Sequence, residues 1–315
     1  MESSPLTSSL AELIALRTAA ARLLRHARRS SRTMQSGGLH TPFRGRGMEY
    51  AESRPYALGD DARHIDWRVS ARSGQIHSKL FHPERDRVSA VVIDGGPAMH
   101  FATRGVLKSV QANRLAALFV WHAVAQGDRV TGQSFPHNVV PARAGGGERG
   151  ALRLLQSLLA WQAFDVSQEA KKSLDLPAAL NRLERNLRSG AHVLVALDSR
   201  SISEDGIKRL RSYAQRHDLL VCVLVDPIEI EPLPKGRFPV SVSLASTPQD
   251  RGSSSLQDAR QLQAQLIASS QRTIDLLKQS GLRASLVRTD EDPAAALSAL
   301  LAGRRGWVTG ASTHG

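Results

Sequence analysis

The chain has 315 residues, of which 41% are hydrophobic and 23% are charged, and this composition is typical of globular proteins rather than disordered or fibrous ones. The longest apolar stretch, residues 115–125, is interrupted by His122 and is shorter than the ~20 residues that a membrane-spanning helix needs. Cys222 is the single cysteine, which excludes an internal disulfide and a multi-cysteine zinc site. The N-terminus does not have the pattern of a signal peptide. We therefore expect a soluble, cytoplasmic protein.

Basic residues outnumber acidic ones by 42 to 29, so the formal net charge is +13. Part of this excess lies in residues 1–47, where eight arginines stand against Glu2 and Glu12. Aromatic residues make up 4% of the chain, which leaves little material for stacking nucleic-acid bases. A solvated basic face explains the charge better, and an acidic partner protein and a phosphate-bearing surface are alternatives. Nucleic-acid binding through the Arg-rich N-terminal helix stays as the alternative.

The N-terminal region begins with a predicted amphipathic helix at residues 8–30, in which Leu10, Leu13, Ile14 and Leu24 have helical spacing. The helix has no Trp or Phe that would anchor it in a membrane surface, so we expect it to dock on the protein's own core. Residues 36–87 contain many glycines and prolines, with one strand predicted at residues 75–82.

From residue 88 onward, strands and helices alternate. Strands are predicted at residues 88–93, 129–135, 193–197, 219–225 and 282–288, and helices at residues 104–126, 148–162, 174–189, 203–215, 256–279 and 293–302. This alternation predicts an α/β fold with a doubly wound, mainly parallel sheet. The predicted organisation is a basic helix at 1–36, a small β-containing module at 37–87, the sheet domain at 88–303 and a tail at 304–315.

Three of the predicted strands are followed by an aspartate, namely Asp94, Asp198 and Asp226. The carboxyl ends of parallel strands meet at one edge of a sheet, where ligands gather. Carboxylates at that edge can hold a hard divalent cation. Aspartate is also a common capping residue, so a structural role is the alternative.

The densest group of polar side chains lies in residues 54–72, RPYALGDDARHIDWRVSAR. If this segment were a strand, His64 and Asp66 would share a face, and an acid–base role would pair His64 with Asp66 or Asp61. No activated nucleophile accompanies them, and residues 145–147 lack the ending of a phosphate-binding loop. We therefore favour a non-enzymatic role, with these residues forming Arg–carboxylate pairs or a partner surface. The candidate partner-binding residues are Arg54, Tyr56, Gly59, Asp60, Asp61, Arg63, Asp66, Trp67 and Arg72.

This segment resembles the signature of the bacterial family called domain of unknown function 58, which runs Arg-x-Tyr-x-x-Gly-Asp-Asp-x-Arg-x-Ile-Asp-Trp-x-x-Ser-Ala-Arg. Every fixed position is present between Arg54 and Arg72. The resemblance covers residues 40–305 and extends to Gly45, Gly47, Glu49, Lys79, Glu84, Asp226, Pro227, Glu229, Leu233, Pro234, Thr289, Asp290, Arg304 and Arg305.

The resemblance implies that the sheet domain is similar to a von Willebrand factor A domain. It also implies that the protein works with a MoxR-type AAA+ ATPase and client proteins, as a non-enzymatic adaptor in chaperone-like maturation of protein complexes.

The residues themselves leave two further alternatives open, a hydrolase built on His64 and a membrane-surface scaffold using residues 8–30.

The resemblance implies a metal motif, Asp-x-Ser-x-Ser, at the end of the first sheet-domain strand. Here the motif reads Asp94-Gly95-Gly96-Pro97-Ala98, so both serine hydroxyls are replaced by residues without side-chain oxygen. Asp198 matches the late aspartate of that motif. We therefore expect a degenerate metal site at Asp94 and Asp198, and no cofactor beyond a weakly bound Mg²⁺.

Overall fold

The computed structural model describes residues 4–33, 48–57, 60–83, 87–136, 139–163, 175–231 and 256–302. The chain divides into two compact units. Residues 1–34 and 87–315 form the larger one, called here the sheet unit, and residues 35–86 form the smaller one, called the signature unit. The predicted tail at residues 304–315 lies outside the described residues. Within the described part of the chain, no helix is long and apolar enough to span a bilayer.

The helices and strands follow in chain order. The strands are β1 (Met48–Pro55), β2 (His77–Pro83), β3 (Val88–Asp94), β4 (Arg129–Phe135), β5 (Ala142–Gly146), β6 (His192–Asp198), β7 (Asp218–Val225) and β8 (Ala284–Arg288). The helices are α1 (Leu10–Thr33), α2 (Trp67–Ser73), α3 (Lys108–Val124), α4 (Gly147–Gln162), α5 (Leu176–Glu184), α6 (Glu204–Ala214), α7 (Leu256–Gln279) and α8 (Pro293–Leu301).

The sheet unit is built on a six-stranded sheet in the order β5-β4-β3-β6-β7-β8. All the pairings among β4, β3, β6, β7 and β8 are parallel. At one edge of the sheet, β5 pairs antiparallel with β4. Side chains alternate between the two faces: Val91 and Ile93 pack with α1, α3, α4 and α8, whereas Ala90 and Val92 pack with α5, α6 and α7. The prediction of an α/β unit with a mainly parallel sheet flanked by helices is confirmed.

Helix α1 packs on the core of the sheet unit, as its amphipathic pattern predicts. Leu13 is fully buried, and its carbonyl oxygen accepts a hydrogen bond of 2.9 Å from Trp121 Nε1. Arg114 of α3 forms an ion pair of 2.6 Å with Glu12. Leu10 and Leu13 of α1 therefore pack on the core, whereas Ile14 is exposed and the side chain of Leu24 lies outside the described residues.

In the signature unit, β1 and α2 were not predicted. In the sheet unit, two elements differ most from the predictions, for physical reasons. The helix predicted at residues 104–126 begins at Lys108, because Gly105 has a φ of 74° and lies so close to Thr289 that a Cβ atom would be 2.2 Å from its carbonyl oxygen. Residues 101–107 therefore form a loop that reaches the end of β8. Strand β5 was not predicted, because Ala142–Gly146 is short and rich in glycine and has no alternating apolar pattern.

A substitution at Leu13 tests the docking of α1. We expect Leu13→Ala to lower the free energy of unfolding by about 2–5 kcal/mol, because it leaves a cavity in the core. The neighbouring Ile14 is 37% exposed and provides the matched control. Ile14→Ala should cost only ~0.5 kcal/mol. Urea unfolding followed by circular dichroism measures both, and equal losses would contradict the docking of α1 through Leu13.

His192 lies at the start of β6, buried with its ring edge against Phe119 at a centroid distance of 4.9 Å. Burial lowers the pKa of His192 to about 4, although Asp218 opposes this shift; the charge of Arg87 and the neighbouring His122 lower the pKa further. The folded protein therefore holds this imidazole neutral at pH values where an unfolded histidine takes up a proton.

This difference predicts a pH dependence of stability. Between pH 6.5 and about 4, the unfolded state binds more protons at His192 than the folded state, so the free energy of unfolding falls as the pH falls through this window. His192→Gln should flatten that slope in urea titrations. His100→Gln, at an exposed position, should leave it unchanged. Equal slopes for wild type and His192→Gln would show that the folded-state pKa of His192 is not lowered.

Candidate functional site

The signature unit is organised around Asp66, which is only 7% exposed and caps the N-terminus of α2. Its Oδ1 accepts hydrogen bonds of 3.2 Å from the backbone amides of Arg68 and Val69. Its Oδ2 accepts a hydrogen bond of 2.8 Å from Ser53 Oγ on β1. One carboxylate thus begins the helix and attaches it to the two-stranded sheet formed by β1 and β2.

Asp60 joins two other residues of the signature. Arg54 Nη2 donates to Asp60 Oδ1 at 2.6 Å, and Tyr56 Oη donates to the Asp60 carbonyl oxygen at 3.0 Å. The Ala57 amide donates to Asp60 Oδ2 at 3.0 Å. The Ala57 amide and then the Arg54 guanidinium, acting against desolvation, hold the pKa of Asp60 below its ordinary value. The three signature residues are therefore fixed to one another.

Residues 64–66 do not form a strand, which was the condition under which His64 and Asp66 would share a face. Ala62–His64 forms a 3₁₀ turn that Asp61 caps by accepting from the Arg63 amide at 2.9 Å. Apart from a single bridge between Ile65 and Ser78, the segment leads directly into α2. Strand geometry therefore no longer supports the proposed pairing of His64 with Asp66. Gly59 and the flanking positions Gly45, Gly47 and Glu84 lie outside the described residues.

Several other signature side chains are exposed. Trp67, the first residue of α2, is 71% exposed although it directly follows the buried Asp66. Arg63 and Arg72 are exposed, and Tyr56 is 36% exposed. Trp, Tyr and Arg are the residue types enriched at protein–protein interfaces. The signature unit therefore combines one buried capping carboxylate, that of Asp66, with exposed aromatic and basic side chains.

A second polar group lies at the carboxyl edge of the sheet, where the structure brings Asp94 and Asp198 together. Asp94 is buried, and its Oδ1 accepts from the Gly96 amide at 2.8 Å while its Oδ2 accepts from the Asp198 amide at 3.1 Å. Burial raises the pKa of Asp94, against the hydrogen bonds that lower it. The Asp94 carboxylate is thus held by two backbone amides and by a hydrogen bond with the Ser201 side chain.

Asp198 is paired with two cations. Its Oδ2 lies 2.5 Å from Lys108 Nζ, and its Oδ1 accepts from Arg200 Nε at 2.9 Å and from the Arg200 amide at 2.8 Å. Burial alone would raise the pKa of Asp198, but hydrogen bonds and charge from Arg200 and Lys108 lower it. Lys108 Nζ also lies 2.5 Å from Glu229 Oε2, and both side chains are buried. We call Lys108, Asp198, Arg200 and Glu229 the edge cluster.

Asp226, the third strand-terminal aspartate, has a structural role. Its carboxylate accepts hydrogen bonds from the Thr103 amide at 2.7 Å, the Thr103 hydroxyl, and Thr289 Oγ1 at 3.0 Å. Its backbone amide donates to Glu229 Oε2 at 2.8 Å, which completes a capping box on the turn Pro227–Glu229. Asp226 therefore joins the loop before α3 to the ends of β7 and β8.

The family described as "Protein of unknown function DUF58" matches residues 52–250, which include the whole region from Arg54 to Asp226. The chain belongs to this family. Its DUF58 match thus spans the signature unit from β1 onward and most of the sheet unit.

Relatives from two mycobacteria are described as uncharacterised proteins. "Uncharacterized protein Rv1480" of Mycobacterium tuberculosis is 28% identical over 190 residues, which are 59% of this chain and 58% of that protein. "Uncharacterized protein Mb1516" of Mycobacterium bovis gives the same values. The chain spans less than two thirds of the length of these relatives.

Two solved structures show distant likeness. The conserved hypothetical protein BatB from Bacteroides thetaiotaomicron has 15% identity and a TM-score of 0.39, over 69% of this chain and 98% of that chain. The PilB minor pilin from Streptococcus sanguinis has 9% identity and a TM-score of 0.37, over 73% of this chain and 63% of that chain.

The sequence analysis missed Lys108 and Arg200, although it singled out Asp94 and Asp198. Pro227 and Glu229 entered the sequence analysis only as positions of the family resemblance, and nothing in the spacing of residues indicated a lysine partner for Glu229. Among the described residues, no group of three or more His, Cys, Asp or Glu side chains could hold a metal ion. Lys108 and Arg200 instead place two cations at the edge where the sequence analysis expected a weakly bound Mg²⁺.

A substitution at Asp66 tests the frame of the signature unit. Asp66→Ala removes a helix cap and a bond to Ser53, so we expect a local loss of about 2 kcal/mol. Hydrogen exchange of the α2 amides, read by mass spectrometry, should accelerate in the variant. Asp61→Ala, which removes an exposed cap on a short turn, is the matched control and should leave α2 unchanged. Unchanged α2 exchange in Asp66→Ala would contradict the capping role.

Proposed function

We propose that this DUF58 protein is a non-enzymatic adaptor that binds a partner protein through the exposed face of its signature unit. The observation that carries the proposal is Trp67, which is 71% exposed next to the buried cap Asp66. Burying a large aromatic side chain yields much of the free energy of a protein–protein contact, and tryptophan is enriched among the residues that dominate binding. A folded frame that presents a tryptophan to solvent is suited to binding.

The carboxylates of the signature favour the same function over catalysis. Asp60, Asp61 and Asp66 each accept hydrogen bonds from backbone amides of their own unit. A general base needs a lone pair directed at substrate, whereas these oxygens hold turns and a helix start. The specific residue types of the signature are thereby explained by folding and by an exposed binding face, without a chemical reaction.

The partner that we propose is a MoxR-type AAA+ ATPase, with client proteins as further partners; the resemblance to the family supports this choice. Arg63, Arg68 and Arg72 are exposed in the same short segment as Trp67, so an acidic partner surface would be complementary. The net charge of +13 would accelerate association with such a partner at low salt. The similarity of the sheet unit to a von Willebrand factor A domain belongs to this proposal as well.

The nucleic-acid alternative has weaker support. It relies on the arginines of α1, and Arg17 lies 3.1 Å from Glu148 with its guanidinium 5.3 Å from the centre of the Trp121 ring. That guanidinium therefore contacts the protein's own side chains.

Substitution of Trp67 tests the proposed function. We expect Trp67→Ala to weaken binding to the MoxR-type ATPase of the same organism on the order of tenfold, because the largest exposed apolar side chain of the face is lost. Biolayer interferometry with purified proteins at two salt concentrations measures the dissociation constant, and higher salt should weaken wild-type binding.

The control is Ile76→Ala, since Ile76 is 52% exposed in the same unit but lies outside residues 54–72. It should bind like the wild type. Wild-type affinity in a folded Trp67→Ala variant would refute the proposed face, and absence of wild-type binding to the ATPase would refute the proposed partner.

A further inference from the structure

The edge cluster contains a cation that belongs to the chain itself. Lys108 is the first residue of α3, its side chain is fully buried, and its Nζ lies 2.5 Å from both Asp198 Oδ2 and Glu229 Oε2. A lysine ammonium is rarely buried unless it is paired, because it loses its hydration. Here it bridges two carboxylates from neighbouring strand ends, as a metal ion would.

The oxygen atoms at this edge already have nitrogen donors. Both oxygens of Asp94 accept from backbone amides, those of Gly96 and Asp198. Both oxygens of Asp198 accept from side-chain cations, Arg200 on Oδ1 and Lys108 on Oδ2. Magnesium needs near-octahedral oxygen ligands at about 2.0–2.1 Å, so it would have to displace several of these bonds.

Gly96 and Ala98, which stand where the metal motif has its two serines, provide no side-chain metal ligands either. A Cβ atom at Gly96 would lie 3.0 Å from Asp94 Oδ1, so a serine there would require Asp94 or the loop to shift. Ala98 supplies no oxygen on its side chain. The residues present at this edge therefore do not fit a divalent metal ion.

The charge balance of the edge cluster leads to the same conclusion. Lys108 and Arg200 carry two positive charges, and Asp198 and Glu229 carry two negative charges, so the cluster is neutral by itself. A divalent ion on Asp94 and Asp198 would lie beside the Lys108 ammonium and repel it. In a buried setting such repulsion is poorly screened.

We propose that the Lys108 ammonium is the resident cation of this sheet edge, replacing a divalent metal ion, with Arg200 as the second cation on the solvent side. Lys108 joins α3 to the ends of β6 and β7, and this edge is assembled without metal. The proposal does not depend on the adaptor function, because it concerns the folded chain alone.

Two substitutions of Lys108 separate its charge from its volume. Lys108→Ala removes the ammonium and opens space beside Asp198 and Glu229, whereas Lys108→Met removes the charge and keeps most of the volume. Lys208→Ala is the control, because the side chain of Lys208 is 73% exposed and pairs only with the exposed Asp205 among the described residues. Thermal unfolding of the purified full chain is measured in EDTA and in millimolar Mg²⁺ or Mn²⁺.

We expect added Mg²⁺ or Mn²⁺ to leave the unfolding temperature of the wild type unchanged. The same should hold for Lys208→Ala. Both Lys108 variants should lose on the order of 10 °C in EDTA, because two buried carboxylates lose their shared cation. Mg²⁺ or Mn²⁺ should restore roughly 5 °C to Lys108→Ala, which has room for an ion, and little to Lys108→Met.

Direct metal binding keeps the proposal falsifiable if the Lys108 variants do not fold. The wild-type protein is titrated with Mn²⁺ and the free ion is followed by electron paramagnetic resonance. Absence of stoichiometric binding supports a resident lysine. Stoichiometric Mn²⁺ binding that Asp94→Asn abolishes would overturn the proposal. A folded Lys108→Ala variant that gains no stability from either ion would also overturn it, because Lys108 would then be an ordinary structural ion pair.

Discussion

The buried ammonium of Lys108 is the constraint on which the arrangement of the sheet edge depends. Its partners Asp198 and Glu229 follow Lys108 by 90 and 121 positions in the chain, and both are buried. A buried charge is strongly destabilising when it lacks a counter-charge, and loss of Lys108 would leave Asp198 and Glu229 with the partly exposed Arg200 as their remaining cation among the described residues. The start of α3, the end of β6 and the turn after β7 are therefore positioned together.

This arrangement also accounts for the roles of the neighbouring carboxylates. Asp226 and Glu229 share a capping box, and Glu229 in addition receives Lys108, so the turn after β7 is defined by both a backbone cap and an ion pair. Asp94 differs from them, because its two oxygens accept hydrogen bonds from backbone amides and from the Ser201 side chain and have no cationic partner among the described residues. The three aspartates at the strand ends thus have different structural roles: Asp94 binds backbone amides, Asp198 pairs with cations and Asp226 caps a turn.

Much of the sheet could be predicted from the sequence, because β3, β6 and β7 are buried on both faces and give continuous apolar runs. β5 gave no such signal, since its glycines carry no pattern, and α2 is too short and polar to show helical periodicity. The predicted site residues Asp94 and Asp198 do meet. Lys108 could not be assigned to them, because its partners are distant in the chain and a lone lysine at a helix start has no distinguishing spacing. Residues 64–66 lack strand geometry because two local caps, Asp61 and Asp66, determine the backbone there.

The packing of α1 has a consequence for biosynthesis. Its buried residue Leu13 rests on α3, and α1 also packs against α8, the last described helix of the chain. At ribosomal rates, on the order of 10–50 s separate the synthesis of α1 from that of α8. During this interval the apolar face of α1 lacks part of its final cover, while the signature unit, which is contiguous in sequence, is already complete. The apolar face of the amphipathic helix α1 therefore receives its last described cover only after α8 has been synthesised.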